Sequence, residues 1–242
     1  MSLSRLNASD RQAVSAATLG AFLLIAQQVA ARAVRDALFL SAFQVKSLPL
    51  VMGASAIAAL AGAEVLSLAL TRRSPSRVVP AVALLSAVLL AAWWAIGLGW
   101  PRAAAVLLYL HVAAFGGALV SGFWSMVNER FDPYTARRVV GRITAGATAG
   151  GIAGGFLVWA ASRALPPSAA VLLLLAMTAT AAVVLYAARG DERSRPGPGG
   201  TAPTLALPVL VRNPYVRNIA LVVLLGAVVE TLVDFLFKGL AA

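Results

Sequence analysis

The chain has 242 residues, of which 60% are hydrophobic and only 12% are charged, and its mean hydropathy is +0.86. Soluble domains are about 45–50% apolar and about 25% charged, so this chain lacks the polar surface that a soluble globule needs. A net charge of +11 would suggest nucleic-acid binding in a soluble protein. Here most basic residues lie in short loops between apolar segments, where they set membrane orientation. The composition therefore predicts an all-α membrane protein with the lipid bilayer as its partner, and no nucleic acid.

The residue types also exclude several kinds of chemistry. The chain has no cysteine and one histidine, which rules out disulfides, a thiolate nucleophile, Cys-ligated clusters and a His-pair metal site. The sequence contains no recognisable nucleophile–base pair, paired-carboxylate site or metal cluster. We therefore predict neither enzymatic activity nor a metal or other cofactor.

Seven apolar segments follow one another, and each is long enough for a hydrocarbon layer of roughly 30 Å. In lipid these segments must be helices, because a lone strand leaves its backbone groups without hydrogen-bond partners. The first 31 residues also imitate a signal peptide, but Gln27, Gln28 and Arg32 interrupt that pattern, so we expect an uncleaved first helix. The predicted helices cover residues 14–40, 47–70, 78–98, 103–126, 141–161, 169–188 and 215–236.

Residues 189–204 break the apolar pattern with Gly, Pro and mixed charges, a composition typical of a flexible linker. Asp132-Pro133 and Asn213-Pro214 each combine an N-cap residue with a proline at the first helical position, which indicates a helix start. The predicted domains are a six-helix bundle over 1–188, a linker over 189–212 and the first helix of a second bundle over 213–242.

The basic residues also predict an orientation. With a cytoplasmic N-terminus, fourteen of the 20 Lys and Arg residues fall on the cytoplasmic side and six on the outer side. Cytoplasmic loops carry such an excess in membrane proteins. We therefore expect the N-terminus and the linker to be cytoplasmic.

Helix seven resembles helix one when the two are aligned with a shift of 198 residues. Asp36-Ala-Leu-Phe then falls on Asp234-Phe-Leu-Phe, and Arg32 falls on Glu230. Parallel halves that repeat at this distance follow the plan of the major facilitator fold. We predict a major-facilitator-like six-helix bundle plus one further transmembrane helix, which needs a second bundle or a homodimer partner.

Three blocks of the sequence resemble the bacterial ATP/ADP translocase-like nucleotide transporters. The blocks are Arg32-Ala-Val-Arg-Asp-Ala-Leu-Phe-Leu, Phe123-Trp-Ser-Met-Val-Asn-Glu-Arg-Phe-Asp-Pro with the glycine-rich helix after it, and Asn213-Pro-Tyr-Val-Arg-Asn-Ile-Ala with Asp234-Phe-Leu-Phe-Lys. The resemblance implies a twelve-helix architecture, ATP/ADP or other nucleotide exchange, and a location in the bacterial inner membrane. This chain departs from that pattern in length, so we expect transport only together with further helices.

Polar residues inside the predicted spans indicate a site, because a charge at bilayer depth is costly unless it is paired or faces water. We predict that they line a central cavity in which Arg32 and Arg35 contact phosphate through their guanidinium groups. Arg32 can pair with Asp36, one turn away, or with Glu230 when the cavity is empty. The alternative is that the cations snorkel to the outer surface, which we expect most for Arg35 and Lys238. The full set is Gln28, Arg32, Arg35, Asp36, Glu230, Asp234 and Lys238.

Helix five contains glycines in overlapping G-x-x-x-G spacing. A phosphate-binding loop is excluded, because the run has no G-K-[ST] ending and lies inside an apolar helix. Small residues let helix backbones approach closely in membranes, so we predict a packing surface that could also slide during alternating access. The glycines are Gly146, Gly150, Gly151, Gly154 and Gly155.

Two other functions fit the same segments. A non-transporting anchor or sensor module of the same fold would use the helices as a scaffold. A major facilitator transporter of another solute would use the same cavity for different chemistry. A gene that also encodes the remaining helices would favour transport.

Overall fold

The computed structural model describes residues 8–189 and 213–241, of which 93% are helical, with no strand among them. Seven of the described helices are long and apolar enough to cross a membrane, which confirms the predicted all-α membrane class. A single 3-10 turn, Val45–Ser47, separates the first two. The helices are α1 (Ala8–Ala42), α2 (Leu48–Arg72), α3 (Pro75–Gly97), α4 (Pro101–Arg130), α5 (Pro133–Ala164), α6 (Pro167–Ala187) and α7 (Pro214–Ala241).

Both predicted Xaa-Pro helix starts are confirmed. The Asp132 carboxylate accepts hydrogen bonds from the backbone N–H groups of Tyr134 at 3.0 Å and Thr135 at 3.2 Å. A further hydrogen bond from the Thr135 side chain lowers the pKa of Asp132. Asn213 Oδ1 accepts from the N–H of Tyr215 at 3.0 Å. These caps satisfy amide donors that a helix start leaves open, so α5 begins at Pro133, well before the apolar segment that the sequence marks from residue 141.

The first six helices pack in a symmetric set of pairs. The interior helix α1 packs on α4, α5 and α6, while α4 also packs on α2 and α3, and α3 packs on α6. Exchanging α1 with α4, α2 with α5, and α3 with α6 turns this set of pairs into itself. A unit of three membrane-crossing helices ends on the opposite side from its start, so the two units run in opposite directions. The bundle has the pairing pattern of two inverted three-helix repeats.

The core is divided along the axis of the bundle. One cluster surrounds the first half of α1, a second surrounds its second half, and a third closes the end at which α1 terminates. The third cluster consists of Phe39, Leu48, Val51 and Tyr109. It joins α1, α2 and α4, and it provides the surface against which α7 packs.

Helix α7 is held differently from the others. Its Phe235 packs against the third cluster, and its Glu230 contacts Arg32 on α1. Among the side chains that the structure describes, none in the most apolar stretch of α7 is buried, whereas nearly half of the corresponding stretch of α1 is. The linker 190–212 lies outside the described residues.

A reporter fusion at Gly199, a position outside the described residues, tests the predicted orientation. An enzyme that works only in the cytoplasm should be active there, because the basic residues flanking the linker favour the cytoplasmic side. A matched fusion at Gly99, between α3 and α4, should report the outer side. Activity of a periplasm-specific enzyme at Gly199 would reverse the assignment.

Candidate functional site

An ion pair joins α1 to α7 at the two positions that the internal alignment places together. Arg32 Nη1 donates a hydrogen bond to Glu230 Oε1 at 3.3 Å. Their side chains are 63% and 71% exposed, respectively. The ion pair predicted from the 198-residue shift is therefore present, and most of each side chain is exposed.

The depth of this pair follows from helix geometry. The candidate spans are Arg11–Ala42 and Pro214–Leu236, and Arg32 and Glu230 each lie about five residues past the middle of their span. At 1.5 Å per residue, both α-carbons lie roughly 8 Å from the centre of the membrane. Hydrocarbon does not solvate charges at this depth, so the exposed faces of the pair require water or protein around them.

Arg35 and Asp36 form a second, more enclosed pair. Arg35 Nε donates to Asp36 Oδ1 at 3.1 Å, and only 14% and 19% of the two side chains is exposed. The guanidinium also stacks over the Tyr109 ring, 4.4 Å from its centroid. The expectation that Arg35 snorkels is wrong, because an adjacent carboxylate and an aromatic face together stabilise the cation inside the protein. From the sequence, Asp36 is a possible partner of Arg32, and in the structure Asp36 accepts this hydrogen bond from Arg35.

The remaining predicted site residues lie around these pairs. Gln28 is half-buried against α4, where a Cβ at Gly116 would lie 2.6 Å from Gln28 Oε1. Gly116 therefore makes room for the amide, a role that nothing in its sequence surroundings indicates. Asp234 is half-buried on α7. The side chain of Lys238 lies outside the described part of the chain.

The glycines of α5 meet the backbone of α1. A Cβ built at Gly150 would overlap the carbonyl oxygen of Phe22, and one at Gly154 would overlap that of Ala26. At Gly146 the same atom would come within 2.8 Å of the Thr18 carbonyl oxygen. Along this interface, the contacting residues of α1 and of α5 both increase in number in four-residue steps. The two helices therefore run parallel and in close contact. Gly151 and Gly155 make only ordinary contacts, of 3.6 Å or more, with Ile25 and Val29.

The symmetry-related helix pair has a close contact of the same kind. A Cβ at Gly62 on α2 would overlap the carbonyl oxygen of Ala114 on α4. Exchanging the two three-helix units places α2 on α5 and α4 on α1, so this contact corresponds to the contact between α5 and α1. A lone glycine among alanines gives no G-x-x-x-G signal, so the sequence does not reveal this contact.

His111 belongs to the interior of the bundle. Its Nε2 is 2.9 Å from the hydroxyl of Ser86 on α3, and its ring stacks on Phe115 at 4.5 Å. The side chain is buried. This geometry favours a hydrogen-bonded packing residue over a proton relay in an open cavity.

These features define the class: the chain is an all-helical, multi-pass membrane protein with an exposed ion pair between α1 and α7. Comparisons with protein-family models, curated proteins and solved structures find no match.

Proposed function

We propose that this chain is part of a secondary transporter of the major facilitator type that exchanges nucleotides across the bacterial inner membrane. The observation that carries the proposal is the ion pair between Arg32 and Glu230. It joins corresponding positions of two helices that repeat after 198 residues, close to the membrane centre. Transporters of this type hold their substrate at that depth, between two parallel halves.

The helix pairing supports the same architecture. Each major facilitator half contains two inverted three-helix repeats, and the pairs among α1 to α6 are unchanged when the two units are exchanged. Close glycine contacts occur at both equivalent interfaces, α1 with α5 and α4 with α2. Such tightly packed pairs let a half move as one body, which alternating access by rocking requires.

The ion pair suggests how an anion would trigger that movement. Arg32 contacts Glu230 through one nitrogen at 3.3 Å, so other guanidinium donors can meet a phosphate in the fork geometry that suits it. Phosphate and carboxylate would compete for the same cation. A bound nucleotide would release Glu230 and loosen α7 from α1, so that substrate binding shifts the balance between two arrangements.

The proposal requires a second bundle, from further chain or from a second copy, opposite the first. Lipid can cover the apolar faces of α7, but it cannot solvate Glu230, of which 71% is exposed. A water-filled cavity between two bundles solvates this carboxylate and Arg32 together.

Counterflow into liposomes tests the proposal. The full-length gene product, reconstituted with internal ADP, should accumulate external labelled ATP, and liposomes without internal nucleotide should not. Protein-free liposomes provide the baseline. Baseline uptake would rule out nucleotide exchange, and exchange of another solute alone would replace the nucleotide assignment with a different substrate.

A further inference from the structure

A cavity of about 520 Å³ lies between α1 and α5, toward the N-terminal end of α1 and away from the Arg32–Glu230 pair. Arg11 on α1 and Arg142 on α5 both line it. Its apolar wall includes Leu19 and Phe22. From the sequence, these two arginines indicate only the orientation in the membrane, because no sequence pattern shows that they lie close together.

The charge balance of this cavity differs from that of the site described above. Arg32 and Arg35 each have a carboxylate partner. Among the described residues, neither Arg11 nor Arg142 forms an ion pair. An anion bound between two such cations is attracted by both of them. Guanidinium groups favour phosphate because their planar donors match its oxygens.

The depth of the lining residues in the membrane indicates which kind of ligand fits the cavity. Arg11 lies about 15 residues, or roughly 23 Å, from the middle of the candidate span Arg11–Ala42, which is beyond the half-thickness of about 15 Å for the hydrocarbon layer. Leu19 and Phe22 lie roughly 7–11 Å from the middle, within that layer.

Arg142 lies one helical turn before Gly146, which meets Thr18 on the parallel helix α1. Arg142 is therefore level with about Val14, roughly 19 Å from the middle of the same span. The cavity presents cations at headgroup level and an apolar wall deeper in the membrane. Basic pockets of this kind bind anionic lipid headgroups.

We infer that this cavity binds the phosphate group of an anionic ligand between Arg11 and Arg142, with an apolar part of the ligand against Leu19 and Phe22. An anionic phospholipid has this chemistry, and a soluble nucleotide shares its phosphate. The inference does not depend on transport, since a phosphate site here would serve an anchor as well as a transporter.

Binding to the delipidated full chain in neutral detergent tests the inference. The probes are phosphatidylglycerol, phosphatidylcholine as the lipid without net charge, ADP and inorganic phosphate. Arg11→Gln and Arg142→Gln should each raise the apparent Kd by about tenfold, the loss expected when one charge-assisted hydrogen bond disappears. Arg102→Gln is the matched control, because Arg102 is exposed at the opposite end of the bundle.

The Leu19→Ser variant distinguishes a phospholipid ligand from a soluble phosphate ligand. Weaker phosphatidylglycerol binding in Leu19→Ser and in both arginine variants supports a lipid ligand. Binding of ADP or phosphate that needs the arginines but not Leu19 supports a soluble one. Arg11→Lys and Arg142→Lys keep the charge and should lose less affinity than the glutamine variants. The inference is overturned if no probe binds, if all variants bind like the parent, or if Arg102→Gln loses as much affinity.

Discussion

Replacing Gly154 by leucine should lower the melting temperature of the detergent-solubilised protein sharply, and Gly150→Leu should do the same. In each case even the first carbon of the new side chain would overlap a backbone carbonyl of α1, at Ala26 or Phe22. A backbone in a packed helix cannot move aside as a flexible side chain can. Overpacking of an interior typically costs about 1–3 kcal/mol, and forcing α5 away from α1 also loses the van der Waals contacts that hold membrane helices together.

Adjacent glycines provide the matched controls for this result. Gly154→Ala should be destabilising, whereas Gly155→Ala, one residue away at nearly the same depth, should be close to neutral. A Cβ at Gly155 meets only Val29, at 3.9 Å. The comparison holds helix, composition and lipid depth constant, so it isolates the contact with α1. Equal melting temperatures for the two alanine variants would place α5 at another interface.

Exchange activity should disappear in Arg32→Ala, to the level of protein-free liposomes. The substitution removes the cation that the proposed mechanism offers to phosphate, and it leaves the Glu230 carboxylate uncompensated near the membrane centre. Glu230→Ala should impair exchange without abolishing it, because the phosphate ligand remains. Initial rates of ADP-dependent ATP uptake by equal amounts of reconstituted full-length protein measure both effects.

Exchanging the two charges of the ion pair distinguishes a structural role of Arg32 from a role in substrate binding. Arg32→Glu with Glu230→Arg restores opposite charges across the 3.3 Å contact, so the melting temperature should recover relative to the single reversals. Transport should not recover, because the cation now lies on α7. Arg102→Ala, an exposed arginine elsewhere, should transport like the parent. Normal exchange in Arg32→Ala would show that this arginine does not bind substrate.

Much of the fold is predictable because the bilayer constrains the chain so strongly. Apolar length alone predicts seven spans, and backbone hydrogen bonding in lipid then requires helices. The Asp132 and Asn213 caps are also predictable, since capping acts between residues two or three apart. The same local logic overstates the exposure of Arg35, because its stabilising contact with Tyr109 joins residues from different helices.

The sequence alone was enough to predict the class of protein and the order of its helices, and it offered Glu230 as one of two partners for Arg32. That pairing was accessible because an internal repeat encodes which positions correspond, even across 198 residues. The packed structure alone shows which glycines touch backbone, since Gly154 and Gly155 belong to the same motif but face different neighbours. It also brought Arg11 and Arg142 to one cavity. Such contacts depend on how each helix is rotated about its axis, and that rotation is set by packing among all the helices at once.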